Sequence, residues 1–186
     1  MKYREIILES LKNLPFFEKK EIYTIAKQYF IKDATIDAYI NRSLKFKDII
    51  QLKKGFYTTK DFYEKNISDI SYKFYLANIL RTPSYVSSWT ALQYYDLTTE
   101  AIGNVISVSR KITRNFQNKA GGFVYHYIKE DLFSGFDLKK EKSLPPATEF
   151  DFFIASPSKA LFDLIYFKTN QFRGIHFKEI DKIIEE

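Results

Sequence analysis

The apolar positions fall into two textures along the chain. In the first third they recur at helical spacing. Tyr3, Ile7, Leu11 and Leu14 make one stripe, which Pro15 ends, and Ile22, Ile25, Ala26 and Tyr29 make a second that starts near Glu18. A third, shorter stripe, Ile36, Tyr39, Ile40 and Leu44, follows the connection Phe30 to Asp33, with Asp33 or Thr35 expected as its cap. Next come two short β-rich runs, Ile49 to Leu52 and Phe56 to Thr59, separated by Lys53-Lys54-Gly55, which predict a β-hairpin with lysines at its tip.

Beyond a connection from Thr59 to Asn66 the texture changes. A helix is expected through Ile70, Phe74, Ala77 and Leu80, stopped by Thr82-Pro83, and a short one through Trp89, Ala91, Leu92 and Tyr95, capped by Ser87 or Ser88. Val105 to Ser109 and Phe123 to Ile128 read as strands on either side of a basic, polar stretch, with a turn at Gly121-Gly122. Phe150 to Ala155 is another strand, feeding a helix with Ser156 as N-cap and Pro157 at its first position. Ile175, Phe177, Ile180, Ile183 and Ile184 suggest a last amphipathic helix. The expected fold class is α+β: a winged helix-turn-helix over residues 1–65, followed by an α+β domain with a small mixed sheet over residues 66–186.

Composition narrows the chemistry. The 186 residues include no cysteine and two histidines, so disulfides, thiol catalysis and thiolate zinc sites are excluded. No apolar stretch approaches a membrane span, and Glu5 and Glu9 interrupt the first stripe where a signal peptide would be apolar. A cytoplasmic protein with no membrane partner is expected. The net charge of +6 is uneven: residues 1–65 hold 14 Lys and Arg against 9 Asp and Glu, whereas the remainder is near balance with 15 against 14. A basic first third points to a polyanion.

On the third helix the apolar face leaves Thr35, Asp37, Ala38, Asn41, Arg42 and Lys45 outward. Arg and Asn suit base edges, and Thr and Lys suit phosphate oxygens. Thr35, Asn41, Arg42 and Lys45, with the tip lysines Lys53 and Lys54, are therefore the candidate contacts to double-stranded DNA. Arg110, Lys111, Arg114 and Lys119 form a possible second basic surface for nucleic acid or protein. Catalytic signals are weak. There is no phosphate-binding glycine loop and no serine elbow, and His126 and His176 each lack a second histidine at ligand spacing. Glu149 and Asp151 would share one face of a strand, the one arrangement that suits a metal-dependent nuclease or nucleotidyl transferase. The expectation is a binding protein without catalytic residues, metal or cofactor.

The segments "LKKGFYTT", "SYVSSWTALQYYDLT", "FSGFD" and "IASPSKALFDLIYF" resemble the AbiEi-type antitoxins of abortive-infection toxin-antitoxin systems. The likeness covers most of the chain, and its most specific pieces are Tyr85 to Leu92 and Ala155 to Asp163. It implies an amino-terminal domain that binds and represses its own promoter and a second domain that counteracts a nucleotidyltransferase-like toxin, directly or indirectly. Within the motif segments, Ser88, Ala91 and Leu92, and Ser156, Lys159, Ala160, Leu161 and Asp163, read as capping and packing residues. The alternative from another class is a stand-alone transcriptional regulator whose second domain senses a ligand or binds a protein.

Overall fold

Pro15 has no amide hydrogen to donate, and the first helix, α1 (Tyr3–Leu11), stops before it with Ile7 and Leu11 buried. The structure is a computed structural model and describes residues 3–99, 103–142 and 149–171. The expected helix at Ile175 to Ile184, and His176, lie outside these residues. After α1 come β1 (Phe17–Glu18), α2 (Lys19–Gln28), α3 (Asp33–Phe46), β2 (Ile49–Lys53) and β3 (Phe56–Thr59). At the start of α2 the Glu21 carboxylate accepts the Glu18 amide at 2.7 Å, one half of a capping box. The third helix is longer than its apolar stripe suggests, and its N-cap is Lys32 rather than Asp33 or Thr35. Asp33 instead occupies the first turn, where a carboxylate favours the helix dipole. The three strands form an antiparallel sheet in the order β1-β3-β2, with Gly55 at φ 84° in the β2–β3 turn.

The segment expected to be a connection after Thr59 is a helix, α4 (Lys60–Asn66). Thr59 caps it by accepting the Phe62 amide, and seven residues are too few for a periodic stripe to show in sequence. Then follow α5 (Ile70–Leu80), β4 (Ser84–Val86), α6 (Ser88–Tyr94), β5 (Asn104–Ser109), β6 (Arg114–Asn118), β7 (Gly121–Tyr127), β8 (Phe136–Lys142), β9 (Glu149–Ala155) and α7 (Pro157–Gln171). The protein is thus mixed α+β. Its second sheet has six strands in the order β6-β7-β5-β4-β9-β8, with β5–β7 and β4–β9 parallel and the other pairs antiparallel. The polar stretch after Ser109 contains an edge strand, β6, and the other edge is the charged β8. Edge strands face water and need no clean alternation, which hides them in the sequence. Among the described residues no helix is long and apolar enough to cross a membrane.

The two segments "SYVSSWTAL" and "ASPSKALFD" meet in the interior of this second half. Asp163 of α7 is fully buried, and its Oδ2 accepts from the Ser87 hydroxyl at 2.7 Å and the Tyr85 hydroxyl at 3.0 Å. Its Oδ1 lies 2.8 Å from Lys159 Nζ, one helical turn back, and that ammonium also donates to the Leu132 carbonyl at 2.7 Å. Ser87 therefore occupies the N-cap position of α6 but spends its hydroxyl on Asp163, making no capping bond to its own helix. Burial and the adjacent carboxylate push the Tyr85 hydroxyl far above its ordinary pKa, so it remains a donor. Ser156 does cap α7, its Oγ accepting the Lys159 amide at 3.3 Å.

Two apolar clusters fill the molecule. One joins Ile7, Leu11, Phe17, Ile22, Ala26, Ile36, Tyr39, Ile40, Ile49 and Tyr57; the other surrounds the six-stranded sheet and also takes in Leu52 and Phe62. The larger core thus reaches back across residue 65 into the hairpin. Asn118 Nδ2 donates to the Leu52 carbonyl, and Tyr72 to the Pro15 carbonyl, each at 2.8 Å.

Asp163→Ala removes the only carboxylate facing Lys159 in this network and orphans two buried hydroxyls. A loss of about 3–5 kcal/mol is expected. Urea denaturation followed by circular dichroism measures it, and a loss under about 1 kcal/mol would show that the network bears little of the stability.

Candidate nucleic-acid interface

At 3.6 residues per turn, the side of α3 opposite Ile36, Tyr39, Ile40 and Ser43 carries Thr35, Ala38, Asn41, Arg42 and Lys45, all exposed. Fourteen residues give a helix about 21 Å long. Arg42 rests 5.3 Å from the centre of the Phe46 ring, which extends its guanidinium along the surface. Asp37, the acidic residue of this face, is neutralised locally: Lys19 of α2 lies 2.7 Å from its carboxylate, and hydrogen bonds from Lys19 and Tyr23 hold its pKa below the usual carboxylate range. The outward face that remains presents Asn, Thr and two cations.

Asn41 also borders a cleft of about 410 Å³ between α3 and the hairpin, whose wall includes Gln51 and Lys54. The two tip lysines, adjacent in sequence, go separate ways. Lys54 is exposed beside Asn41, whereas Lys53 turns toward the second sheet. Its ammonium donates to the Leu80 carbonyl at 2.8 Å and sits 4.1 Å from the Phe56 ring centre. The register slip between Gln51 and Lys53 produces this turn, because a bulge re-aims the residue that follows it.

The four cations of the 110–119 segment also divide. Arg110 pairs with Glu130 and lies 5.6 Å from the Phe133 ring centre. Lys119 is exposed at the β6–β7 turn. Lys111 and Arg114 line a second cleft, of about 490 Å³, together with Lys53, Lys54 and Arg81. Arg81 was not among the residues singled out from sequence. Its one sequence signal is isolation, as the sole Lys or Arg between Lys73 and Arg110.

The residues weighed for catalysis lie elsewhere. Glu149 and Asp151 do share the exposed face of β9, but Asp151 is 3.3 Å from Lys140 across the β8–β9 ladder, an ion pair rather than an open ligand pair. Among the described residues no three His, Cys, Asp or Glu side chains are grouped to hold a metal ion. His126 stacks on Phe167 of α7, with ring centres 4.7 Å apart, and burial holds its pKa below the ordinary 6.5. Its neutral form is thus favoured in the folded state, and the unfolded chain binds more protons as pH falls through that value. The stabilisation is complete above pH 6.5 and shrinks below it. His126→Phe should therefore lose less stability than the parent when urea midpoints are compared at about pH 7.5 and pH 5.5; equal losses would place the imidazole in contact with solvent.

Neither the models of known protein families nor the curated proteins include a match to this sequence.

Proposed function

We propose that the chain is the DNA-binding antitoxin of a bacterial toxin-antitoxin pair and represses its own promoter. In this reading residues 1–65 act as a winged helix-turn-helix. α3 enters the major groove with Asn41 and Arg42 at base edges, while Thr35, Lys45 and Lys54 hold the flanking phosphates. One observation carries the reading: a polar and cationic helix face lies beside an exposed hairpin lysine, with Asn41 and Lys54 on the walls of one cleft. The order of helix, strand, two helices and hairpin, and the basic first third, support it.

The second half would counteract a nucleotidyltransferase-like toxin in the cytoplasm, a role supported by the likeness of Tyr85 to Leu92 and Ala155 to Asp163 to the antitoxin segments. The structure gives those segments a packing task around Asp163, so a toxin-facing surface belongs to other residues of that half. A second reading, a regulator that senses a ligand, is favoured by one feature: Lys54 borders both the α3 cleft and the larger cationic cleft, which would let an occupant of one affect the other.

Electrophoretic or fluorescence titration of the DNA upstream of its own gene tests the proposal. Arg42→Ala is expected to weaken binding at least tenfold. Lys54→Ala is expected to lower the slope of log K against log salt by about 0.9, one phosphate contact. Both variants should still rescue growth when co-expressed with a toxic neighbour. Parent-like DNA binding by both variants would move the interface away from α3 and the hairpin.

A further inference from the structure

The larger cleft has a composition that folding alone does not account for. Five cations, Lys53, Lys54, Arg81, Lys111 and Arg114, line about 490 Å³ of space, and no carboxylate is among its walls. None of the five forms an ion pair among the described residues. They come from β2 and the turn after it, the end of α5, the loop after β5 and the start of β6, so the fold gathers them from four places.

Arg81 is the deepest of them, 8% exposed. One terminal nitrogen of its guanidinium donates to the Ile112 carbonyl and the group stands over the Tyr125 ring, but the buried Nε has no partner. A buried guanidinium ordinarily faces a carboxylate, because a buried charge without a counter-charge is strongly destabilising. Its charged neighbours here are Lys53, Lys111 and Arg114. The mutual field is visible at Lys53, whose pKa is lowered first by burial and then by Lys111, Arg81 and Arg114. Glu18 acts in the opposite sense on Lys53, but its carboxylate lies 3.2 Å from Lys20.

We infer that this cleft binds a phosphate ester, with Arg81 at its floor and Lys53, Lys111 and Arg114 around it. A phosphate fits better than a carboxylate. It carries more charge against five cations, and its oxygens can take both the forked donors of Arg81 and Arg114 and the point charges of the lysines. The cleft has the size of a small-ligand site, and two rings, Phe56 and Phe116, belong to its wall. Two sources share this chemistry: a free nucleoside polyphosphate, or a backbone phosphate of a duplex held at α3 and continued past Lys54. The inference does not require that α3 bind DNA, since the free-nucleotide source is independent of it.

The test uses the full chain in two arms. In the first, ATP is titrated calorimetrically in magnesium-free, low-salt buffer, with adenosine as the uncharged control. The parent should bind ATP and not adenosine, and the exposed substitutions Lys111→Gln and Arg114→Gln should each weaken ATP about tenfold with an unchanged urea midpoint. Arg81→Gln should weaken it further, but the conclusion stands on the two exposed variants if that protein folds poorly. In the second arm, a promoter duplex extended on the hairpin side is compared with a shortened one. If ATP does not bind, yet each exposed variant lowers the salt slope by about 0.9 on the long duplex alone, the ligand is the DNA backbone. ATP binding that both variants leave intact, or no effect in either arm, overturns the inference. ATP binding lost in the variants upholds it even if Arg42→Ala shows that α3 does not touch DNA.

Discussion

The hairpin of residues 49–59 has both faces in use, and that constraint sets the arrangement of everything around it. Across the β2–β3 ladder Ile50 is opposite Thr58 and Ile49 is opposite Thr59, so alternate residues point to opposite sides. Ile49 and Tyr57 belong to the core beneath the first three helices. Leu52 belongs to the core of the six-stranded sheet, and Phe56 packs against it. Tyr72 reaches across the same seam, donating to the Pro15 carbonyl, and Phe16 stacks on Phe56 with ring centres 5.8 Å apart. A hairpin in a free wing would have one face in water. Here it is a shared wall, and α3 is thereby held in register with the edge of the second sheet.

The cationic cleft is a consequence of that shared wall. Because the hairpin turn abuts the end of α5 and the start of β6, Lys53 and Lys54 meet Arg81 and Arg114 from much later in the chain. The far side of the second half is anchored differently, through Asp163, which gathers Tyr85, Ser87 and Lys159 around one buried carboxylate. The two halves therefore rest on different interactions. One is an apolar seam that places charges at its rim, and the other a buried polar and ionic knot that ties α7 to β4 and to the start of α6.

Much of this was legible in the sequence where burial is one-sided. Ile7 with Leu11, Ile22 with Ala26, and Ile36 with Tyr39 and Ile40 are buried as their spacing predicts, and the hairpin falls where its turn residues are. The edges were not legible. Arg114 to Asn118 and Phe136 to Lys142 are edge strands that each set only a ring or two against the core, Phe116 in one and Phe136 in the other, so too little apolar alternation survives to mark them as strands. The divergence of Lys53 from Lys54 depends on a bulge, a property of pairing rather than of either residue. Arg81 was hidden for a related reason. Its neighbours are brought to it by tertiary packing, and a lone arginine closing an apolar helix carries no local sign of that company. The Asp163 knot was half visible, since its segments stood out as motifs while their contact did not.

Because the chain has no cysteine, single cysteines can be placed to map the DNA interface on α3 and the hairpin. Single-cysteine variants at Asn41, Lys54 and the exposed Ile165 of α7, each labelled with a photo-crosslinker, would be bound to the upstream DNA of the protein's own gene and irradiated. Crosslinks are expected from positions 41 and 54 and none from 165. Crosslinks from 165 alone, or an equal yield from all three, would contradict a DNA interface built on α3 and the hairpin.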